Sequence, residues 1–151
     1  MPVARLATSW WAHQRRLRLN HILVATDPET RKVIGSVEVH TAPYLRKQGA
    51  AYLTEEQASK LSPYLSSLAV RENARGRGIG RALVNAAVEE CKAACEGDGQ
   101  TLMLQVEAVN VGAIKIYEQC GFQTISPPGC QIHVMTQRVK PLTSRSPGTL
   151  T

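Results

Sequence analysis

Apolar residues along the chain follow two rhythms, one of period two and one of period 3.6, and the alternation between them predicts the elements. The runs His21–Thr26 (HILVAT) and Val33–His40 (VIGSVEVH) flank Asp27-Pro28-Glu29-Thr30, a turn signal, and together predict an antiparallel hairpin. Tyr64–Val70 (YLSSLAV) and Leu102–Ala108 (LMLQVEA) read as buried strands. Phe122–Ile125 and Gln131–Val139 read as two closing strands around Ser126-Pro127-Pro128-Gly129. Between these, Val84, Ala87, Val88, Cys91 and Cys95 recur at helical spacing over 81–95, with Gly97 as a stop. Asn110 can cap a second helix over 111–119, which Gly121 would end. Leu6, Trp10, His13 and Leu17 predict an amphipathic helix over 6–18, and Thr54-Glu55-Glu56-Gln57 is a capping-box pattern for a short helix inside the long connection from 41 to 62.

The middle of the chain is thus strand, loop, helix, strand, helix, with antiparallel hairpins on both sides. A strand–helix–strand unit should cross over right-handed between parallel strands. The expected fold is α/β, a mixed and mostly antiparallel sheet with helices on both faces. The length of 151 residues favours one domain, placed at 1–140, with a Ser-, Thr-, Pro- and Gly-rich tail at 141–151 expected to be disordered.

Composition narrows the function only a little. Hydrophobic residues make up 43% and charged residues 20%, as in a globular protein, and no apolar run reaches the roughly 20 residues of a membrane span. The net charge of +6 favours an anionic partner: nucleic acid, an anionic surface or a phosphorylated cofactor. Nucleic acid lacks its usual stacking residues, because aromatics are 5% and Phe122 is the sole phenylalanine. Cys91, Cys95, Cys120 and Cys130 show no paired zinc spacing, and they read as small hydrophobes in a reducing compartment. The first 26 residues hold Arg5, Arg15, Arg16 and Arg18 before the first acid at Asp27, a bias shared with organelle transit peptides as well as with an ordinary amphipathic helix. The chain is expected inside the cell, in cytoplasm or plastid stroma, with no membrane partner and as a monomer or homodimer.

Arg75-Gly76-Arg77-Gly78-Ile79-Gly80-Arg81 is the most informative stretch, a basic glycine loop between a buried strand and a helix N-terminus. Unpaired backbone N–H groups and the helix dipole favour phosphate there, and glycine lets the main chain approach an anion closely. A Walker A loop would need Gly-Lys-Ser/Thr, whereas Gly80 is followed by Arg81-Ala82. The dinucleotide fingerprint fails from either Gly76 or Gly78. The pattern R-x-x-G-x-G fits from Arg75 to Gly80 without a gap.

That loop resembles the coenzyme-A pyrophosphate loop of the GNAT superfamily of N-acetyltransferases, [Q/R]-x-x-G-x-[G/A]. A second segment, Asn110 through Ala113 and Tyr117 to Gly121-Phe122, resembles the family's N-x-x-A-x-x-x-Y-x-x-x-G-F, about 30 residues on and in the family's order. The match runs from about 21 to 139. Ser67–Arg71 together with Gln105–Ala108 is similar to protein N-terminal and lysine acetyltransferases and to their plastid relatives. Such proteins begin with a further strand and helix before the element read at 6–18, so an edge strand is expected to be missing or supplied by another chain.

The resemblance implies acetyl-CoA as donor, a protein α-amine or lysine side chain as acceptor with a small amine or polyamine as the alternative, and a central parallel pair of strands, 64–70 and 102–108, splayed to admit the thioester. Pantetheine would pair with the backbone around Leu68, Ala69 and Val70, and the diphosphate would lie over Arg75–Arg81, with Asn110 and Ala113 beside the arm. Asn110 and Tyr117 lie seven residues apart, near two helical turns, and so share a helix face. Tyr117 is the expected general acid, since a tyrosine with a pKa of about 10 holds its proton while a thiolate leaves. For the base, the position aligned with the glutamate of some relatives holds Gln105, which leaves Glu107 as the candidate, with Glu38, His40, His133 or relayed water as alternatives. A non-catalytic acyl-CoA sensor would share the loop and Asn110.

Overall fold

The computed structural model describes residues 5–8, 20–42, 54, 56, 62–95 and 97–142. Among these, seven strands form one sheet. They are β1 (Arg5–Thr8), β2 (Asn20–Thr26), β3 (Val33–His40), β4 (Tyr64–Val70), β5 (Gln100–Glu107), β6 (Gln123–Thr124) and β7 (Ile132–Val139). Two full α-helices lie within the described residues, α1 (Ile79–Ala94) and α2 (Val111–Gln119), with a 3-10 turn at Glu72–Ala74 ahead of α1, and the sheet order is β1-β2-β3-β4-β5-β7-β6. Every neighbouring pair is antiparallel except β4 and β5, so the sheet is mixed and mostly antiparallel, as the pattern predicts.

The core lies between the sheet and α1. Leu23, Ala25, Val37, Val39, Leu65, Leu102 and Leu104 pack with Leu83, Val84, Ala87 and Cys91 of the helix. Period two on the strands and period 3.6 on the helix deliver these residues to one interface. Gly35 sits tightly in this interface: a Cβ there would lie 3.0 Å from Leu83 Cδ1 and 3.0 Å from the Ala69 carbonyl oxygen, so a larger residue would have to push its neighbours back. Burial pushes the Cys91 thiol up to about 12, so this cysteine serves as a neutral core residue. All four cysteines are free.

Two features depart from the sequence pattern. The chain does hold its edge strand: β1 pairs with β2 from Arg5–Thr26 to Thr8–Leu23, so the edge is neither missing nor borrowed. This overturns the helix at its start, since 5–8 are extended, while the rest of the expected helix, 9–19, lies outside the described residues. Most of the 54–62 helix and the tail beyond 142 also lie outside them. The second departure is a bulge. β3 and β4 pair Ser36 with Ala69 and then Glu38 with Ser66, so β4 spends one extra residue, and Ser67 takes a left-handed φ of 56°.

No helix among the described residues is long and apolar enough to cross a membrane.

Candidate active site

The parallel pair is a fork. β4 and β5 pair only at Tyr64–Met103 and Leu65–Leu104, with one further bond from the Met103 N–H to the Pro63 carbonyl at 3.0 Å. Beyond that row β4 keeps β3 and β5 keeps β7, and no ladder joins the two strands. The fork therefore opens toward the carboxyl ends of both strands, where open α/β sheets hold ligands.

Which backbone groups face the opening follows from register. The Arg71 N–H donates to the Ile34 carbonyl at 2.8 Å, which makes Ala69–Ser36 the next hydrogen-bonded pair. The peptide groups of Leu68 and Val70 then point away from β3, into the fork. Their side chains pack on the core, while Ala69 is exposed on the other face. The Ser67 bulge produces this phase. It turns Leu68 and Val70 onto the α1 side that Leu65 occupies before the bulge.

Above the fork, α1 starts with an unfilled N-terminus. Its cap is Gly78, left-handed at φ 78°, with no side-chain hydrogen bond and no acid in the first turn. Gly76 is also left-handed, at φ 77°, and a Cβ at either glycine would meet nothing within 4 Å. These glycines are there for backbone conformation. Gly80 is there for space, since a Cβ would come within 3.1 Å of Ile116 Cδ1 on α2. Ile79 is buried and anchors the turn, whereas Arg75, Arg77 and Arg81 are exposed around it. Arg75 Nε donates to the Val70 carbonyl at 3.2 Å, and Arg77 Nη2 donates to the Asn73 carbonyl at 3.4 Å. Arg75 thus ties the loop to the end of β4.

An anion suits this end of the molecule. The first N–H groups of α1 have no intrahelical partner, their dipole is positive, and three exposed arginines lie in the same loop and first turn. A diphosphate here would supply the acceptor oxygens that Gly78 does not. Asp27, at the β2–β3 turn, has its carboxyl held below the usual range by the N–H groups of Thr30 and Glu29, with Arg77 adding a smaller attraction.

Asn110 and Tyr117 both sit on α2. Asn110 Oδ1 accepts the Ala113 N–H at 3.2 Å, so its oxygen caps the helix and its amide nitrogen is the group left for a ligand. Ala113 is half-buried beside the core. Tyr117 is buried at 6% exposure and meets Phe122 edge to face at 5.9 Å between centroids. Burial raises its hydroxyl pKa above the ordinary 10.0, which keeps the proton on oxygen.

The base candidates divide between the faces. Gln105 and Glu107 are exposed and lie on the sheet face turned away from α1, because Leu104 and Val106 take the covered face. Glu38 and His40 share that open face through their pairing with Ser66 and Tyr64. His133 pairs with Val106 and so lies on the covered face, where its Nδ1 is buried without a hydrogen bond. His133 is thereby separated from the other candidates. Among the described residues no group of three or more His, Cys, Asp or Glu is placed to hold a metal ion.

The model of the Acetyltransferase (GNAT) family matches residues 2–122. The chain belongs to the GNAT acetyltransferase family. No curated protein sequence matches it significantly. Solved structures do, at the level of fold. NAA60 from Arabidopsis thaliana, solved with acetyl-CoA, is 18% identical with a TM-score of 0.59, covering 91% of this chain and 98% of its own. A GNAT acetyltransferase from Streptococcus pneumoniae is 16% identical with a TM-score of 0.60, over 84% of this chain and 71% of its own. The ribosomal-protein-alanine N-acetyltransferase of Brucella melitensis is 23% identical with a TM-score of 0.57, over 85% and 75%. The GNAT family fold, with its central parallel pair, agrees with the resemblance carried by the two sequence motifs.

Proposed function

We propose that this GNAT protein is an acetyl-CoA-dependent N-acetyltransferase that acts inside the cell on a primary amine of a protein, an α-amine or a lysine side chain. The observation that carries the reading is the uncapped N-terminus of α1, with exposed Arg75, Arg77 and Arg81 in its loop and first turn, following the strand whose Leu68 and Val70 peptide groups point into the fork. Gly76, Gly78, Ile79 and Gly80 with Arg75, Arg77 and Arg81 would hold the diphosphate, and the Leu68–Val70 backbone with Asn110 and Ala113 the pantetheine. Acetyl-CoA bound there supplies a thioester carbonyl open to attack by an amine.

Tyr117 is the general acid of this reading. Its raised pKa keeps it protonated at neutral pH, ready to give a proton to a leaving thiolate. Backbone N–H groups of the bulged segment are suited to the carbonyl oxygen. Glu107, and on the same face Glu38, are the carboxylates available to the incoming ammonium. The protein-substrate part of the reading is supported by the likeness to NAA60 and to a ribosomal-protein-alanine acetyltransferase, together with the motif similarity of 67–71 and 105–108.

The test is mass spectrometry of a peptide pool varied in N-terminal residue and lysine context, incubated with acetyl-CoA and protein. We expect acetylated peptides with wild type and a loss of about 100-fold or more with Tyr117→Phe, at unchanged acetyl-CoA affinity. An unmodified pool alongside acetylated spermidine would move the substrate to small amines. Neither product from a folded, acetyl-CoA-binding protein would leave a non-catalytic sensor.

A further inference from the structure

At the closed end of the fork, the open face of the sheet carries a connected polar cluster. Register sets Glu38 opposite Ser66 and His40 opposite Tyr64. All four share this face because Val37, Val39 and Leu65 fill the face toward α1. Ser66 Oγ donates to Glu38 Oε2 at 3.4 Å, and His40 Nε2 lies 3.5 Å from the same oxygen. The His40 ring stacks on Tyr64 with centroids 5.5 Å apart and planes at 23°.

The position of the cluster matters as much as its contacts. Leu65–Leu104 is the last paired row of the fork, so Ser66 and Glu38 occupy the first row where the strands have parted. Glu38 is half-buried at 37% and His40 at 19%, so the carboxylate is partly desolvated yet reachable, and the imidazole leads from it toward the rim. Glu107 stands at the other end of β5, exposed, with no side-chain hydrogen bond or ion pair among the described residues. On this face Glu38 is flanked by Ile22 of β2, by Ser66 of β4 and by Ser36 and His40 of its own strand, with β5 one strand farther, so His40 and Tyr64 are the titratable groups beside it among the described residues.

Building on the acetyltransferase reading, we propose that Glu38 accepts the proton of the acceptor ammonium, with His40 and Ser66 as the residues that hold its carboxylate in position. In this step an N–H bond of the ammonium breaks and an O–H bond forms on Glu38. The freed lone pair then forms the C–N bond while the C–S bond breaks. The second proton shed by nitrogen returns to Tyr117, replacing the one Tyr117 gives to sulfur. One proton therefore leaves per turnover, passing from Glu38 to His40 and on to water.

The experiment measures initial rates from about pH 6 to about pH 10 for wild type, Glu38→Gln, His40→Gln and Glu107→Gln, with acetyl-CoA and with the peptide pool and spermidine as acceptors. Glu38→Gln should lower kcat/KM for the acceptor about 100-fold near neutral pH and leave the KM for acetyl-CoA unchanged. Its rate should then climb with pH toward the pKa of the acceptor, about 8 for an α-amine or about 10.4 for lysine, as solution supplies the neutral amine. His40→Gln should show a smaller loss with the same climb, and it carries the test by that criterion if Glu38→Gln does not fold. A wild-type profile in both variants, or the collapse and climb in Glu107→Gln instead, would overturn the proposal while leaving the enzyme reading intact. A wild type that binds acetyl-CoA but acetylates neither acceptor would overturn both.

Discussion

The two helices begin in opposite ways. α2 starts on Asn110, whose side-chain oxygen accepts the Ala113 N–H, so its N-terminus supplies its own cap. α1 starts on a left-handed glycine, with no side-chain bond and no acid in its first turn, although it is the longer helix and packs on the core of the sheet. Serine, aspartate or asparagine at the cap would give one of the first N–H groups of α1 a side-chain acceptor. An end left without that acceptor, with Arg75, Arg77 and Arg81 in the same loop and first turn, is suited to an anionic ligand. The uncapped N-terminus is the one suited to an anion, while the capped one already has its acceptor in Asn110.

The largest effect expected from breaking this contrast comes from α1. Replacing Arg75, Arg77 and Arg81 together by alanine should weaken acetyl-CoA binding by about 100-fold or more, because each charge-assisted hydrogen bond is worth roughly 1.5–3 kcal/mol. Calorimetric titration checks this, and raising the salt concentration should narrow the gap between variant and wild type. Arg75→Ala alone should cost more than Arg77→Ala, since Arg75 also ties the loop to the Val70 carbonyl. Next in size, Gly78→Ala forces a Cβ into a left-handed conformation with nothing near enough to clash, so its cost of about 1–2 kcal/mol is backbone strain alone. That should appear as a lower Tm and a weaker acetyl-CoA titration in the same variant.

On α2 the same operations should act on stability. Asn110→Ala removes the cap and should cost about 1 kcal/mol, a fall in Tm of about 2–4 °C. Asn110→Asp should restore the Tm while losing the amide donor, which separates the capping role from any role toward pantetheine. The smallest effect is a gain. Gly112 lies in the first turn of α2 without a positive φ, and a Cβ there would meet nothing within 4 Å, so Gly112→Ala should stabilise by about 0.5–1 kcal/mol in thermal unfolding.

Much of this was legible in the sequence, and what was not has physical reasons. Strong periodicity with clear stops gave β3, β4 and α2 their boundaries at 33–40, 64–70 and 111–119. α1 begins at Ile79, ahead of the expected 81, because Gly78 itself takes the cap conformation. β1 stayed hidden because four residues, RLAT, are too few to show alternation, and Leu6 also fits a helical stripe. The Ser67 bulge did leave a signal: the covered residues of β4 are Leu65, Leu68 and Val70, and the three-residue step between the leucines breaks the period of two. The anion loop was legible because its chemistry is contiguous. The Glu38–His40–Tyr64 cluster was not, because its members meet through strand pairing across a long connection, which composition and spacing do not reveal.

The most direct test of the central claim is an amide chemical-shift titration of the protein with coenzyme A. The largest shifts should fall at Gly76, Gly78, Ile79, Gly80 and Arg81, followed by Leu68 and Val70 in the fork, with the Ala113 amide, already bonded to Asn110, moving less. Saturating coenzyme A that leaves the α1 amides unmoved, or that shifts the α2 N-terminus more strongly, would contradict it.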